Sequence, residues 1–152
     1  MADQGPSKLN RDLQPRVMIV DDDAEMRALL RDVLERDGFH VHEHSSGDGL
    51  LPLLEDWIPD AIVLDKEMAG SNGLDLLPDI RRRLPHTPVV LVTAFGGADV
   101  EAEALRLGAA HYMDKPFRVA RLLEVLWAVV SQATEASDLS AGRIWVVNGD
   151  RT

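Results

Sequence analysis

Three consecutive aspartates, Asp21, Asp22 and Asp23, follow directly after the apolar run at residues 17–20. Like charges at the end of a buried strand repel one another, and two carboxylates ~4 Å apart do so by about 4 kcal/mol at an effective dielectric constant of about 20. A divalent cation with oxygen ligands neutralises such a cluster. The pair Asp21 and Asp22 therefore predicts a cation site, whereas Asp23 has the position of a helix cap.

Asp65, Thr93 and Lys115 each follow an apolar segment as well, so four segments deliver polar groups at their C-terminal ends. In an open parallel sheet those ends meet at one edge, where ligands bind. Carboxylate oxygens suit Mg²⁺, and a carboxylate beside a cation can act as a nucleophile. An ammonium group and a hydroxyl group can hold phosphoryl oxygens. The set therefore indicates phosphoryl transfer onto a carboxylate.

The elements that must position these groups alternate between strand-like and helix-like patterns from Arg16 onward. Predicted strands lie near residues 17–20, 39–44, 61–64, 89–92 and 111–114, and predicted helices near residues 26–34, 50–57, 74–84, 100–107 and 119–130. Because the polar groups follow strands one, three, four and five, strands one and three must be neighbours. This predicts an α/β fold, a (βα)5 doubly wound parallel five-stranded sheet of order 2-1-3-4-5, flavodoxin-like in its topology.

The 152 residues fit one domain with two tails. Residues 1–14 are predicted to be a disordered N-terminal tail, residues 15–132 the domain, and residues 133–152 a linker and C-terminal tail. A strand-like run at residues 144–147 leaves three explanations open. It is the start of a truncated output domain, a strand added to a sheet edge, or a segment foreign to the natural chain.

A net charge of −10 argues against direct nucleic-acid binding, because phosphate contacts need clustered lysine and arginine. The chain has no cysteine, which excludes disulfides and thiolate chemistry and is compatible with a cytoplasmic location. No segment approaches the ~18 apolar residues of a membrane span, so no membrane partner is expected.

The order of the motifs resembles the receiver domain of response regulators in two-component signalling, over residues 15–132. An acidic pair comes first, then an acceptor aspartate, then Thr-Ala and Lys-Pro. The resemblance implies that Asp65 accepts a phosphoryl group from a sensor histidine kinase or a histidine phosphotransfer protein, with Mg²⁺ or Mn²⁺. The implied protein switches an interaction surface and is no enzyme, beyond self-phosphorylation from small donors and self-dephosphorylation.

The resemblance also assigns metal ligands. Asp22 would bind the cation directly, and Asp21 would act partly through water. Asp65 and the backbone carbonyl of Glu67 would complete the protein ligands.

The phosphoryl-binding and switching roles fall on the later strands by the same resemblance. Lys115 would bind the phosphoryl group, and the Lys115–Pro116 peptide bond would be cis. Thr93 and Tyr112 would form the switch pair. They would couple Asp65 to the face made by the fourth helix, fifth strand and fifth helix, which receivers commonly use for self-association.

Apolar residues cover more of the fifth predicted helix than a core-facing stripe needs. The excess is centred on Leu123 and Trp127. Two explanations stay open. Either neighbouring helices or the C-terminal tail cover it, or it forms part of a dimer or effector surface.

Three positions depart from the usual receiver pattern. Ala69 stands where proline is common, and Glu67 and Phe95 flank the path of water to the acceptor. A bulky Phe95 predicts steric screening and slow self-dephosphorylation, while Glu67 could instead orient a water molecule. No reactive group is missing.

Two other classes share part of the pattern. A phosphatase or phosphotransferase of the haloacid dehalogenase type also uses an aspartate nucleophile with Mg²⁺, and Asp65 with Glu67 mimics its carboxylate pair. There, however, the nucleophile comes first in the chain. A flavin-binding flavodoxin-like domain shares the sheet order, but the aspartates at residues 21–23 would repel the flavin phosphate.

Overall fold

The computed structural model describes residues 14–140, with side chains described as far as residue 132. One five-stranded parallel sheet has the order β2-β1-β3-β6-β7, and a separate two-stranded antiparallel hairpin pairs β4 with β5. The strands are β1 (Arg16–Val20), β2 (His40–His44), β3 (Ala61–Asp65), β4 (Glu67–Met68), β5 (Ser71–Asn72), β6 (Val89–Thr93) and β7 (His111–Asp114). The helices are α1 (Ala24–Arg36), α2 (Leu50–Asp56), α3 (Gly73–Arg83), α4 (Ala98–Arg106) and α5 (Val119–Ser140).

The order of the main sheet confirms the predicted doubly wound topology. All five residues of β3 and of β6 are buried, because both strands lie inside the sheet and are covered on both faces. The edge strand β2 alternates exposed or half-buried histidines with buried Val41. Parallel register places Val20 opposite Leu64, so β1 and β3 end side by side.

Helices cover the two faces of the sheet unequally. α1 and α5 pack on one face, and α2, α3 and α4 pack on the other. The first core contains Leu30, Leu34, Leu122, Val125 and Leu126, and the second contains Leu50, Leu54, Leu77, Ile80 and Ala104. These side chains recur at helical spacing in the sequence, which is why the helix positions could be predicted from apolar periodicity.

The structure confirms that Asp23 is a helix cap, as the sequence predicts. Its side chain accepts hydrogen bonds from the backbone N–H groups of Glu25 and Met26, at 3.0 and 3.2 Å, at the N-terminus of α1. These bonds satisfy two N–H groups that have no partner inside the helix. Asp23 therefore stabilises the N-terminus of α1.

Two elements differ from the sequence prediction. The hairpin β4–β5 was not expected, because strands of two residues carry no periodic signal. α5 continues to Ser140, so the segment from residue 133 that was expected to be a linker is helical as far as that residue. Alanine and glutamate in this stretch are good helix formers, although the stretch lacks an apolar stripe. The strand-like run at 144–147 and most of the predicted N-terminal tail lie outside the described residues.

The apolar excess on α5 is covered in part within the domain. The Trp127 ring packs on Phe39 with their ring centroids 4.2 Å apart, and its indole N–H donates to Asp37 at 2.8 Å. Leu123 is half-buried against the core shared with α1. The turn after α1, which neither explanation named, thus covers part of Trp127, and a dimer or effector surface on this helix stays a prediction.

Candidate functional site

The C-terminal ends of β1 and β3 bring three carboxylates together. One oxygen atom from each of Asp21, Asp22 and Asp65 lies within 4.8 Å of the others. Asp21 and Asp65 are almost completely buried, at 2% and 3% exposure, whereas Asp22 is exposed. The sequence predicted this convergence, and the neighbouring positions of β1 and β3 produce it.

Lys115 reaches this cluster from the end of β7. Its Nζ atom donates to Asp21 Oδ2 at 3.1 Å and to Asp65 Oδ1 at 3.3 Å. Burial and then the Asp21 carboxylate raise the pKa of Asp65 to about 6, against the opposing effect of Lys115. Burial acts to lower the pKa of Lys115, but its bonds to Asp21 and Asp65 outweigh burial and raise it. The single positive charge of Lys115 thus neutralises only part of the negative charge of the two buried carboxylates.

The loop after β3 holds the acceptor side of the cluster. The backbone N–H of Ala69 donates to Asp22 Oδ2 at 2.8 Å, which connects this loop to the end of β1. Gly73 packs so closely that a Cβ atom there would lie 2.5 Å from the Asp65 carbonyl oxygen. Glycine at this position therefore lets α3 begin directly against the backbone of Asp65.

Thr93 lies at the end of β6 and is completely buried. Its hydroxyl group donates to Glu67 Oε2 and accepts from the Phe95 backbone N–H at 3.0 Å. The other Glu67 oxygen, Oε1, accepts from the Ala94 N–H at 3.1 Å. Burial would raise the pKa of Glu67, but bonds from Thr93, Ala94 and Lys66 outweigh it and lower the pKa. The side chain of Glu67 is thus an ionised part of the site.

The sequence predicted a backbone role for Glu67, a place beside the water path and a negative charge next to the acceptor. Its side-chain contacts with Thr93 and Ala94 had no sequence signal beyond the acidic residue type two positions after Asp65. Phe95 is 73% exposed. Steric screening of the acceptor by Phe95 stays a prediction.

Tyr112 lies on β7 with its ring against the core made with α2, α3 and α4. Its hydroxyl group donates to Asp114 Oδ1 at 2.7 Å and accepts from the Gly97 N–H at 3.0 Å. Tyr112 and Thr93 are on neighbouring strands, yet their hydroxyl groups have different partners. The Lys115–Pro116 bond is cis, as expected.

The family model of the response regulator receiver domain matches residues 17–127. The chain belongs to this family. Phosphorylation-dependent switching is the receiver's function, and nothing in the comparisons supports the haloacid dehalogenase alternative.

Similar proteins agree with this assignment. The transcriptional regulatory protein CpxR of Klebsiella pneumoniae is 37% identical over 129 residues, which cover 80% of this chain and 55% of that protein. The crystal structure of the NtrX receiver domain from Brucella abortus superposes with a TM-score of 0.71 at 30% identity, covering 76% of this chain and 98% of that one.

A second similar structure is that of the beryllofluoride-activated NtrC4 receiver domain dimer. It has a TM-score of 0.74 at 26% identity and covers 78% of this chain and 98% of that one. The chain spans about half or less of the length of the curated relatives that it matches. Within residues 14–140, no helix has the length and apolar character needed to cross a membrane.

The position of the Tyr112 ring in this receiver depends on the absence of a side chain at Gly96. A Cβ atom at Gly96 would collide with the Tyr112 hydroxyl group and with Asp114 Oδ1. Burial and the bond to Asp114 raise the pKa of Tyr112 in the wild type. We expect Gly96→Ala to expel the ring and to lower this pKa towards its ordinary value. Ultraviolet titration of the phenol measures it directly, because Tyr112 is the only tyrosine.

The variant Asp114→Asn is the matched comparison for this titration. It removes the carboxylate that accepts from the Tyr112 hydroxyl group but leaves the space at Gly96 open. We expect a lower phenolic pKa in this variant as well. An unchanged pKa in Gly96→Ala would show that Tyr112 keeps its place and that another part of the loop moves instead.

Proposed function

We propose that Asp65 is the phosphoacceptor of this receiver. The observation that carries the proposal is the hydrogen bond from Lys115 Nζ to Asp65 Oδ1, made inside a cluster with Asp21. A carboxylate is a nucleophile only while it is ionised, and Lys115 favours the ionised form. The Asp65 oxygen would bond to phosphorus as the bond between phosphorus and the donor's leaving group breaks, and the electron pair would leave with that group.

The residues at this edge fit a hard divalent cation. Asp21, Asp22 and Asp65 supply oxygen atoms within 4.8 Å of one another, and one lysine leaves their charge only partly balanced. We propose that these three side chains and the Glu67 backbone carbonyl hold Mg²⁺, for which Mn²⁺ can substitute. When bound, the cation neutralises charge on the carboxylates and on the incoming phosphoryl group.

Lys115 and Thr93 supply the remaining contacts in this proposal. The Lys115 ammonium group would balance the charge of a phosphoryl oxygen, and the Thr93 hydroxyl group and Ala94 N–H would donate to others. The phosphodonor is a sensor histidine kinase or a histidine phosphotransfer protein, because the family receives phosphoryl groups from histidine. Small donors such as acetyl phosphate are expected to replace the partner slowly.

A labelling experiment tests the proposed function. The protein is incubated with acetyl phosphate and Mg²⁺, and intact mass and released phosphate are followed together. We expect one phosphoryl group per chain, and no labelling when a chelator removes the metal. Release of phosphate in large excess over protein would indicate a multiple-turnover phosphatase and would contradict the assignment.

We also propose that phosphorylation promotes a homodimer through the face made by α4, β7 and α5. Two observations favour this surface. Leu105 on α4 is 48% exposed, and Phe95, shortly before α4, is more exposed still. The similar NtrC4 receiver domain is a dimer when activated by beryllofluoride. Burial of exposed apolar side chains by a partner is favourable, so such side chains often mark an interaction surface.

The variant Leu105→Glu tests this surface without disturbing the core. We expect beryllofluoride with Mg²⁺ to dimerise the wild type and to leave this variant monomeric in sedimentation velocity. Leu29→Glu is the matched control, because Leu29 is about as exposed as Leu105 but lies on α1, outside the face made by α4, β7 and α5. Dimers of equal strength in all three proteins would move the interface elsewhere.

A further inference from the structure

The groups available to bind a phosphoryl oxygen next to Asp65 are already occupied by a side chain of the protein itself. Glu67 Oε2 accepts from the Thr93 hydroxyl group, and Oε1 accepts from the Ala94 N–H at 3.1 Å. Under the proposed function, these are the donors that bind the phosphoryl group on Asp65. A carboxylate resembles a phosphoryl group in charge and in its oxygen acceptors, so one anion stands where another must bind.

Lys66 also holds the Glu67 carboxylate in this position, in addition to Thr93 and Ala94. The Lys66 Nζ atom lies 3.3 Å from Glu67 Oε2, and Lys66 is itself largely buried. The side chain of Glu67 is 31% exposed, so it has an open direction in which to swing out. It is therefore held by charge-assisted hydrogen bonds and is free to leave without disturbing the core.

We propose that the Glu67 carboxylate is an internal competitor that occupies the phosphoryl-binding donors of Thr93 and Ala94 and must be displaced when Asp65 is phosphorylated. This rests on the proposed function of Asp65. In the unphosphorylated state, Glu67 keeps Thr93 Oγ1 hydrogen-bonded away from Tyr112. A phosphoryl group takes over both donors, and the displaced carboxylate turns towards solvent.

Three substitutions of Glu67 distinguish two effects of its carboxylate: occupation of the Thr93 and Ala94 donors, and repulsion of an incoming anion by its negative charge. Glu67→Ala removes both the carboxylate and its charge. Glu67→Gln removes the charge but keeps the length, so its amide oxygen still accepts a bond. Glu67→Asp keeps the charge but is one methylene shorter, so it no longer reaches Thr93 and Ala94 together. All three leave the backbone carbonyl of residue 67 in place for the metal.

The probe is beryllofluoride, a phosphoryl analogue, titrated calorimetrically at a Mg²⁺ concentration that saturates each protein. Competition predicts about tenfold tighter binding by Glu67→Ala and a clear gain by Glu67→Asp, with Glu67→Gln between Glu67→Ala and the wild type. In the absence of both ligands, the amide proton of Ala94 should exchange faster in Glu67→Ala, because its acceptor is gone.

The outcomes distinguish this inference from the function on which it rests. If only the two uncharged variants bind more tightly, charge repulsion and not occupancy is the cause, and the inference is wrong. Equal or weaker binding by Glu67→Ala also overturns it, while the function of Asp65 stands. If the wild type and every variant fail to bind beryllofluoride, the proposed phosphoryl site itself is wrong, and the competitor has nothing to exclude.

Discussion

Replacing Asp65 with asparagine is expected to abolish phosphoryl labelling by acetyl phosphate or by a partner kinase. The amide side chain keeps the shape of the carboxylate but lacks a nucleophilic oxygen. The effect should be a loss of at least a hundredfold in the labelled fraction, measured by intact-mass spectrometry. No other described carboxylate combines burial, the Asp21 and Asp22 neighbours and a direct bond to Lys115.

The loss of labelling in Asp65→Asn should not come from unfolding of the variant. Burial and Asp21 raise the pKa of Asp65, which shows that its ionised form is less stable in this fold than in water. In the absence of Mg²⁺, Asp65→Asn should therefore be at least as stable as the wild type at neutral pH, as measured by urea unfolding. Stability that falls together with labelling would leave the role of Asp65 as acceptor unproved.

A neighbouring aspartate provides the matched control. Asp23 follows the same strand but caps α1 and is not one of the three clustered carboxylates. Asp23→Asn should keep the cap, because asparagine caps helices as well as aspartate does. Its labelling should equal that of the wild type. Labelling of Asp65→Asn at the wild-type level would place the acceptor elsewhere.

The fold was predictable because its signals are local. Continuous apolar runs predicted that the third and fourth strands are central, and β3 and β6 are buried at every position. Polar residues at the strand ends predicted that strands one and three are neighbours, since this adjacency brings Asp21 beside Asp65. Both kinds of signal recur in several of the five units, so they do not depend on any single residue.

The features that sequence reasoning missed depend on contacts between distant parts of the chain. From its position on the helix, Trp127 could have faced solvent or a partner. Its environment is set by contacts with Phe39 and Asp37, which the apolar periodicity of the helix does not predict. The side chain of Glu67 contacts Lys66, Thr93 and Ala94, and only tertiary packing brings the last two to it. Residue types and spacing predict which groups meet at a sheet edge, but not which hydrogen bonds they make there.

Replacing Lys115 with methionine is expected to destabilise the metal-free protein by about 2–3 kcal/mol. Breaking a fully buried ion pair by removing one partner costs about 3–5 kcal/mol, and the 18% exposure of Lys115 reduces the cost to the bottom of this range or slightly below it. The cost arises because Asp21 and Asp65 then face one another without a cation. Urea unfolding with an unchanged slope measures the difference.

Mg²⁺ should reverse much of this loss. A cation bound by the three carboxylates supplies the positive charge that the variant lacks, and a ligand that binds only the folded state stabilises it. Removing the ammonium group also removes a like charge from the metal site, so Lys115→Met should bind Mg²⁺ more tightly than the wild type. The stability difference between the two should therefore shrink as Mg²⁺ is raised.

Lys66→Met is the matched control for this experiment, because Lys66 is as buried as Lys115 but pairs with Glu67 instead of the cluster. It should lose less stability, and Mg²⁺ should not reduce the difference from the wild type. Lys115→Met should also lose labelling by at least tenfold even in saturating Mg²⁺, since Lys115 has a second task at the phosphoryl group. Full labelling of a Mg²⁺-saturated Lys115→Met would limit Lys115 to charge balance, and the phosphoryl contact would then have to come from Thr93 and Ala94 alone.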